Sequence, residues 1–209
     1  MNRFERRAYK NGYVHIAGID EAGRGPLAGP VVAAAVIFPP GYENPQINDS
    51  KKLSESKREE LYAAIRSDAV AVDIGVSEPS VIDAVNILQA TLLAMREAIA
   101  GLSVLPDYLL VDGRSRIPVD IPQEVIVKGD SRSVSIAAAS IIAKVTRDKI
   151  MEIYHRQFPQ YNFLGNKGYG TEEHREAIRQ YGFCKCHRRT FQCKSNRTVQ
   201  ASLEIVFEP

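Results

Sequence analysis

The stretch Gly18-Ile19-Asp20-Glu21-Ala22-Gly23-Arg24-Gly25-Pro26 closes an apolar run that starts at Tyr13, delivers two adjacent acids, and passes into a turn nearly bare of side chains. A strand that ends on carboxylates, with backbone open to close approach directly after them, is the pattern of a metal site beside a binding loop. The next segment, residues 31–38, is apolar throughout, and a strand without a polar face is covered on both sides. Two strands joined by this turn therefore belong to a layered structure.

Outward from this hairpin the chain alternates. Residues 53–67 carry Leu61, Ala64 and Ile65 at helical spacing, and the valine-rich residues 69–76 read as a third strand. Pro79 suits the first turn of a helical region over 78–100, with a break near Val85-Asn86. Short apolar strands over 108–111 and 124–127 end in Asp112-Gly113 and Lys128-Gly129-Asp130. The longest helix, 131–155, is apolar or small nearly all round from Val134 to Val145 and must be buried. This order predicts an α/β fold whose sheet the hairpin makes mixed. Residues 1–156 form the expected core, and 157–209 a smaller C-terminal part that ends in a basic tail.

The 209 residues suffice for a sizeable core, and no apolar stretch reaches the roughly 20 residues needed to span a bilayer. Residues 1–10 are polar and basic with no apolar signal core, so a cytoplasmic, reducing setting and a monomer are expected. Cys184, Cys186 and Cys193 cluster around His187 but lack paired two-residue zinc knuckles, which favours reduced thiols. Net charge is only +2, so attraction to a polyanion rests on local clusters: Lys185, Arg188, Arg189, Lys194 and Arg197 stand among residues 182–200 with no acid. A solvated tail explains that cluster equally well.

Asp20, Glu21, Asp112 and Asp130 all fall at element edges, where α/β sheets place their sites. Gathered carboxylates repel one another unless a cation neutralises them, and hard oxygen ligands suit Mg²⁺ or Mn²⁺. Singly, Asp130 reads as the N-cap of a helix starting at Ser131, and Asp112-Gly113 as a turn pair. Neighbours on a regular strand point to opposite faces, so for Asp20 and Glu21 to share a site the strand must twist, bulge or end there. Asp148 lies about 27 Å along the same helix from Asp130 at 1.5 Å per residue. It is expected to pair with Arg147 rather than join the acids.

The signature Gly18 to Val32, Gly18-Ile19-Asp20-Glu21-Ala22-Gly23-Arg24-Gly25-Pro26-Leu27-Ala28-Gly29-Pro30-Val31-Val32, resembles that of the ribonuclease HII family. Asp49-Ser50-Lys51-Lys52-Leu53, Val111-Asp112-Gly113, Lys128-Gly129-Asp130 with Ala137 to Lys144, and Gly168-Tyr169-Gly170-Thr171 are similar to the same family in order. His187-Arg188-Arg189-Thr190-Phe191 resembles its C-terminal box, with threonine where serine is more usual.

The resemblance implies a ribonuclease H-like fold, with a central mixed five-stranded sheet, helices on both faces and a small helical C-terminal part. It implies Asp20, Glu21, Asp112 and Asp130 as catalytic, metal-holding acids. The activity would be two-metal hydrolysis of RNA in RNA/DNA hybrids and at ribonucleotides embedded in DNA, giving 3′-hydroxyl and 5′-phosphate ends. Gly23, Arg24 and Gly25 would read the 2′-hydroxyl, and Tyr169 would stack on the following deoxyribose. A broader ribonuclease H-like nuclease and a non-catalytic binder with the same fold are the alternatives. Lys51, Lys52, Lys167, Arg188 and Arg189 are candidate phosphate contacts. Gln200, Leu203, Val206 and Phe207 faintly resemble a sliding-clamp-binding peptide.

Overall fold

The computed structural model describes residues 1–48, 50 and 53–191. Asp49, Lys51, Lys52, Cys193 and the 200–207 pattern lie outside them. Five strands, β1 (Ile16–Ala22), β2 (Val31–Ile37), β3 (Ala71–Ser77), β4 (Tyr108–Asp112) and β5 (Gln123–Ile126), form one sheet of order β3-β2-β1-β4-β5. β1 pairs antiparallel with β2, and β2 with β3, while β1 with β4 and β4 with β5 run parallel. The sheet is mixed, as expected, and it places the C-terminal ends of β1 and β4 side by side.

All seven residues of β2 are buried because its two faces feed two cores. Val32, Ala34 and Val36 pack with α2 (Glu55–Asp68) and α4 (Val134–Gln157), whereas Ala33, Ala35 and Ile37 pack with α3 (Pro79–Ala100). Gly18 lets α4 press on the middle of β1: a Cβ there would lie 2.1 Å from the Ser135 carbonyl carbon. Asn86, at φ 70, breaks α3 where the sequence predicts a break, and its Oδ1 accepts from the Leu88 N–H at 3.0 Å to restart the helix.

Two differences from the sequence reading bear on the site. Ser133, not Asp130, caps α4: its Oγ accepts from the Ile136 N–H, and the preceding residues Gly129–Ser131 form a 3-10 turn. Asp130 lies within that turn, ahead of the helix start. The polar N-terminus also folds, as α1 (Arg3–Lys10), with Phe4 and Ala8 on its buried side. Its Glu5 accepts from Ser133 Oγ at 2.6 Å and from the Ser135 N–H at 3.1 Å, reinforcing the start of α4.

The C-terminal part contributes α5 (Phe163–Asn166) and α6 (Glu172–Tyr181). Tyr161, Phe163, Ala177 and Cys186 bury against Ala28 and Met151 of the core. Among the described residues no helix is long and apolar enough to cross a membrane.

Candidate active site

A cavity of about 290 Å³ opens where β1 and β4 end, and Asp20, Glu21 and Asp112 all line it. Asp20 and Glu21 both line it although β1 runs on to Ala22 and pairs in regular register with β2 through both acids. The Glu21 N–H donates back to Asp20 Oδ1 at 2.7 Å, and the Arg24 guanidinium lies 3.3 Å from Glu21 Oε1. Asp112 Oδ1 accepts from the Gly129 N–H at 2.7 Å, which brings the 3-10 turn bearing Asp130 up behind it. Asp130 is buried and is not among the residues on the cavity wall.

Burial first, and then the charges of Glu21 and Asp112, hold the Asp20 carboxyl well above the usual carboxylate range. Ser140 opposes this by hydrogen bonding to Asp20, and its Oγ lies 2.9 Å from Ser50 Oγ. Ser140 and Lys144 belong to the cavity wall although composition alone does not single them out. The signal is present nonetheless: Ser140, Lys144 and Asp148 recur every four residues along the helix, which puts them on one face. Lys144 Nζ, at 2.7 Å from Asp148 Oδ1, is the ion-pair partner that the sequence reading assigns to Arg147.

Arg147 has another task, and so does Arg188. Both are essentially inaccessible, at 1% and 0% exposure, which corrects the expectation that Arg188 contacts phosphate. Arg147 donates to the carbonyls of Pro30, Lys167 and Ala28 at 3.0–3.1 Å. Arg188 donates to those of Gly29, Arg24 and Gly23. Six carbonyls of the turn and the adjoining loop, which no strand ladder can satisfy, are met by two guanidinium forks. Burial, then the nearby Arg147 charge, pushes the Arg188 pKa down to about 9.

This scaffold gives the two glycines of the turn different reasons to be glycine. Gly23 has φ +95, and a Cβ there would fall 2.1 Å from Arg147 Nε, so fold alone requires it. Gly25 has no left-handed φ, and the nearest atom to its missing Cβ is Tyr169 Cε1 at 3.7 Å. Tyr169 is pinned by its main chain: its N–H donates to Asn166 O, and its carbonyl accepts from Thr171 N and lies 2.8 Å from His174 Nδ1. Its ring is half exposed on the cavity wall. The C-terminal box docks elsewhere: Asp83 of α3 accepts from the N–H groups of Arg189 and Thr190 and from the Thr190 hydroxyl.

Cys184 and Cys186 are free thiols. Among the described residues no group of three or more His, Cys, Asp or Glu side chains is already disposed to hold a metal ion.

A five-stranded mixed sheet of this order with helices on both faces is the ribonuclease H-like fold, and an acidic cavity at the tips of its central strands marks a nuclease of that class. The ribonuclease HII profile matches residues 17–194. Ribonuclease HII of Syntrophus aciditrophicus is 68% identical over 206 residues, covering 99% of this chain and 96% of the relative. That of Geobacter metallireducens is 58% identical over 189 residues, covering 90% and 89%. The crystal structure of ribonuclease H2 from Pyrococcus horikoshii superposes with a TM-score of 0.72 at 26% identity, covering 85% of this chain and 94% of that one. The Archaeoglobus fulgidus enzyme, solved as a PCNA:RNase HII complex, gives 0.73 at 28% identity, covering 88% and 98%. The chain belongs to the ribonuclease HII family and is an endoribonuclease of the ribonuclease H type, a family dependent on divalent metal.

Proposed function

We propose that this enzyme nicks duplex DNA on the 5′ side of an embedded ribonucleotide and also cleaves the RNA strand of RNA/DNA hybrids, using Mg²⁺ or Mn²⁺. The residues fit such ions in kind. Asp20, Glu21 and Asp112 offer only hard oxygen donors, and the burial that first raises the Asp20 pKa, together with the charges of Glu21 and Asp112, is a penalty that a dication relieves. Asp130 would complete the set from behind Asp112, and Glu21 would turn from Arg24 toward the ions. A bound ion pair supplies activation of the attacking water and stabilisation of the leaving 3′ oxygen. Water oxygen bonds to phosphorus as the bond to the 3′ oxygen breaks, leaving a 3′-hydroxyl and a 5′-phosphate on the ribonucleotide.

The observation that carries the substrate reading is the pairing of Gly25 with Tyr169. Gly25 is bare and exposed where the fold tolerates a side chain, and it faces an aromatic ring held out by a fixed main chain. Backbone of residues 23–25 can approach a ribose edge and bond its 2′-hydroxyl, while the Tyr169 ring lies against the next sugar and favours one without a hydroxyl. An assay on duplex DNA with one ribonucleotide, with and without Mg²⁺ or Mn²⁺ and with Asp20→Asn as control, tests this directly. Tyr169→Ala should reduce the preference for that junction over uniform hybrid, with melting temperature unchanged; an unaltered preference refutes the role of the ring. The PCNA complex of the Archaeoglobus relative supports a clamp contact, for which the 200–207 sequence pattern is this chain's candidate.

A further inference from the structure

Behind the Tyr169 loop lies a second cluster of titratable groups that nuclease chemistry leaves unused. Cys184 Sγ stands 3.2 Å from His187 Nδ1, and the Cys184 N–H donates to the same nitrogen at 3.0 Å. His187 Nε2 stands 3.1 Å from His174 Nε2, and His174 Nδ1 stands 2.8 Å from the Tyr169 carbonyl. The two ends of this chain fix its protons independently. A carbonyl only accepts, so His174 carries its proton on Nδ1 and offers a bare Nε2. A backbone N–H only donates, so His187 keeps Nδ1 bare and carries its proton on Nε2. The assignments meet: His187 donates to His174, and two buried imidazoles are satisfied in their neutral form.

The outer end of the chain is a thiol with an unusual setting. Cys184 is partly exposed, and its pKa is pushed down, first by the hydrogen bond from the Cys186 thiol and then, against the effect of burial, by its contacts with His187 Nδ1 and the Cys186 backbone. Cys186, buried beside it, is pushed the other way. The same short segment holds both elements of the proposed substrate reader. It reaches Tyr169 through His187 and His174. It reaches the Gly23 and Arg24 carbonyls through Arg188, whose own N–H donates to Leu27 O at 2.9 Å, while the Gly29 N–H donates to Cys186 O at 2.8 Å.

We propose that Cys184 is a reactive thiol, a site of reversible modification by small organic disulfides, and that an adduct there loosens the Tyr169 loop and the Gly23–Gly25 turn from behind. The Cys184 sulfur attacks one sulfur of the disulfide, a new S–S bond forms, and the other half leaves as a thiolate. Cys184 attacks as the thiolate, and the departing thiolate takes its proton from solvent. Cys184 is oxidised and the leaving half reduced, and an added thiol reverses the exchange. Lys185, exposed beside it, favours an acidic disulfide. The effect on junction cleavage rests on the substrate reading above; the reactivity of the thiol does not.

The test uses the full chain with oxidised glutathione, following each cysteine by peptide mass between pH 5.5 and 8. An ordinary thiol of pKa about 8.5 slows on the order of 100-fold across that range, whereas Cys184 should slow less than about threefold. The Cys184 adduct should raise KM for the single-ribonucleotide duplex roughly tenfold, with melting temperature retained and dithiothreitol restoring activity, a loss of about 1.4 kcal/mol. Cys184→Ser, which keeps an O–H donor for His187, should escape both labelling and inhibition. Labelling of Cys184 that slows like an ordinary thiol overturns the proposal, as does an adduct that leaves KM unaltered or melts the protein. Hybrid cleavage measured alongside separates the two readings: an enzyme without junction preference refutes the substrate reading while the labelling kinetics still decide the thiol.

Discussion

Replacing Gly25 with alanine separates recognition from folding. Gly25 precedes Pro26, which restricts it to extended backbone that alanine adopts readily, and a Cβ there meets only Tyr169 Cε1 at 3.7 Å, an ordinary contact. The variant should therefore be as stable as the parent or up to about 1 kcal/mol more so, because alanine reduces the freedom of the unfolded chain. That corresponds to a melting temperature unchanged or raised by roughly 2–4 °C at this size. Cleavage should respond oppositely. A methyl group placed where backbone must press on a ribose resembles overpacking, which costs about 1–3 kcal/mol, or roughly 5- to 150-fold in kcat/KM. The kinetics are read on a labelled duplex with one ribonucleotide, and the stability by thermal melting. Gly23→Ala supplies the contrast: φ +95 and the 2.1 Å approach to Arg147 predict several kcal/mol of lost stability. A Gly25→Ala enzyme with unchanged kcat/KM on that duplex refutes the inference that the open face of Gly25 is the sugar-reading surface.

Asp20→Asn removes a buried charge that Glu21 and Asp112 repel, so the metal-free variant should melt higher than the parent. It should also lose nearly all cleavage and most of the metal-induced stabilisation, which for the parent is about 2.7 kcal/mol at a hundred times Kd; a variant that melts lower without metal contradicts the repulsion. Arg188→Lys can satisfy one of the three carbonyls that arginine holds, so calorimetry should show a loss of roughly 2–4 kcal/mol, with KM raised as the turn loosens. His174, with its pKa lowered chiefly by burial, faces His187, the Tyr169 carbonyl, Cys184 and Glu173. A base with a depressed folded pKa stabilises fully above its unfolded value of about 6.5 and loses that stabilisation as pH falls. Denaturation between pH 7.5 and 5.5 should thus show a steeper fall for the parent than for His174→Gln.

The sheet and its hairpin are legible in the sequence because burial on both faces forces an unbroken apolar run such as residues 31–37, and few other structures do so. The break at Asn86 is legible for a related reason, since its side chain competes with the helix for backbone partners. Boundaries are less so: Asp130 and Ser133 are both good caps, and only the path of the chain from β5 decides for Ser133. Helix α1 is illegible because a stretch of eight mostly charged residues does not form a helix alone; docking of Phe4, Ala8 and Glu5 makes it one. The four acids are each visible, yet spacing cannot show that three share a cavity while the fourth stands behind Asp112.

The two arginines show why charge is the weakest thing to read from sequence at such a site. A turn that must offer its backbone to a ligand cannot also spend that backbone on a strand ladder, so the carbonyls facing inward need donors from elsewhere. Arginine supplies up to five donors from one buried point and stays protonated when desolvated, which lysine does not do as well. Arg147 comes from α4, which packs on β1, and Arg188 from the segment after α6, so residues on both sides of residue 156 hold the turn jointly. It follows that a fragment ending before residue 157 should retain the acids yet lose the shape of the turn, since the carbonyls of Gly23, Arg24 and Gly29, which Arg188 holds, would face no donor. Recognition should fail in that fragment before metal binding does, and titration with Mn²⁺ alongside duplex binding distinguishes the two losses.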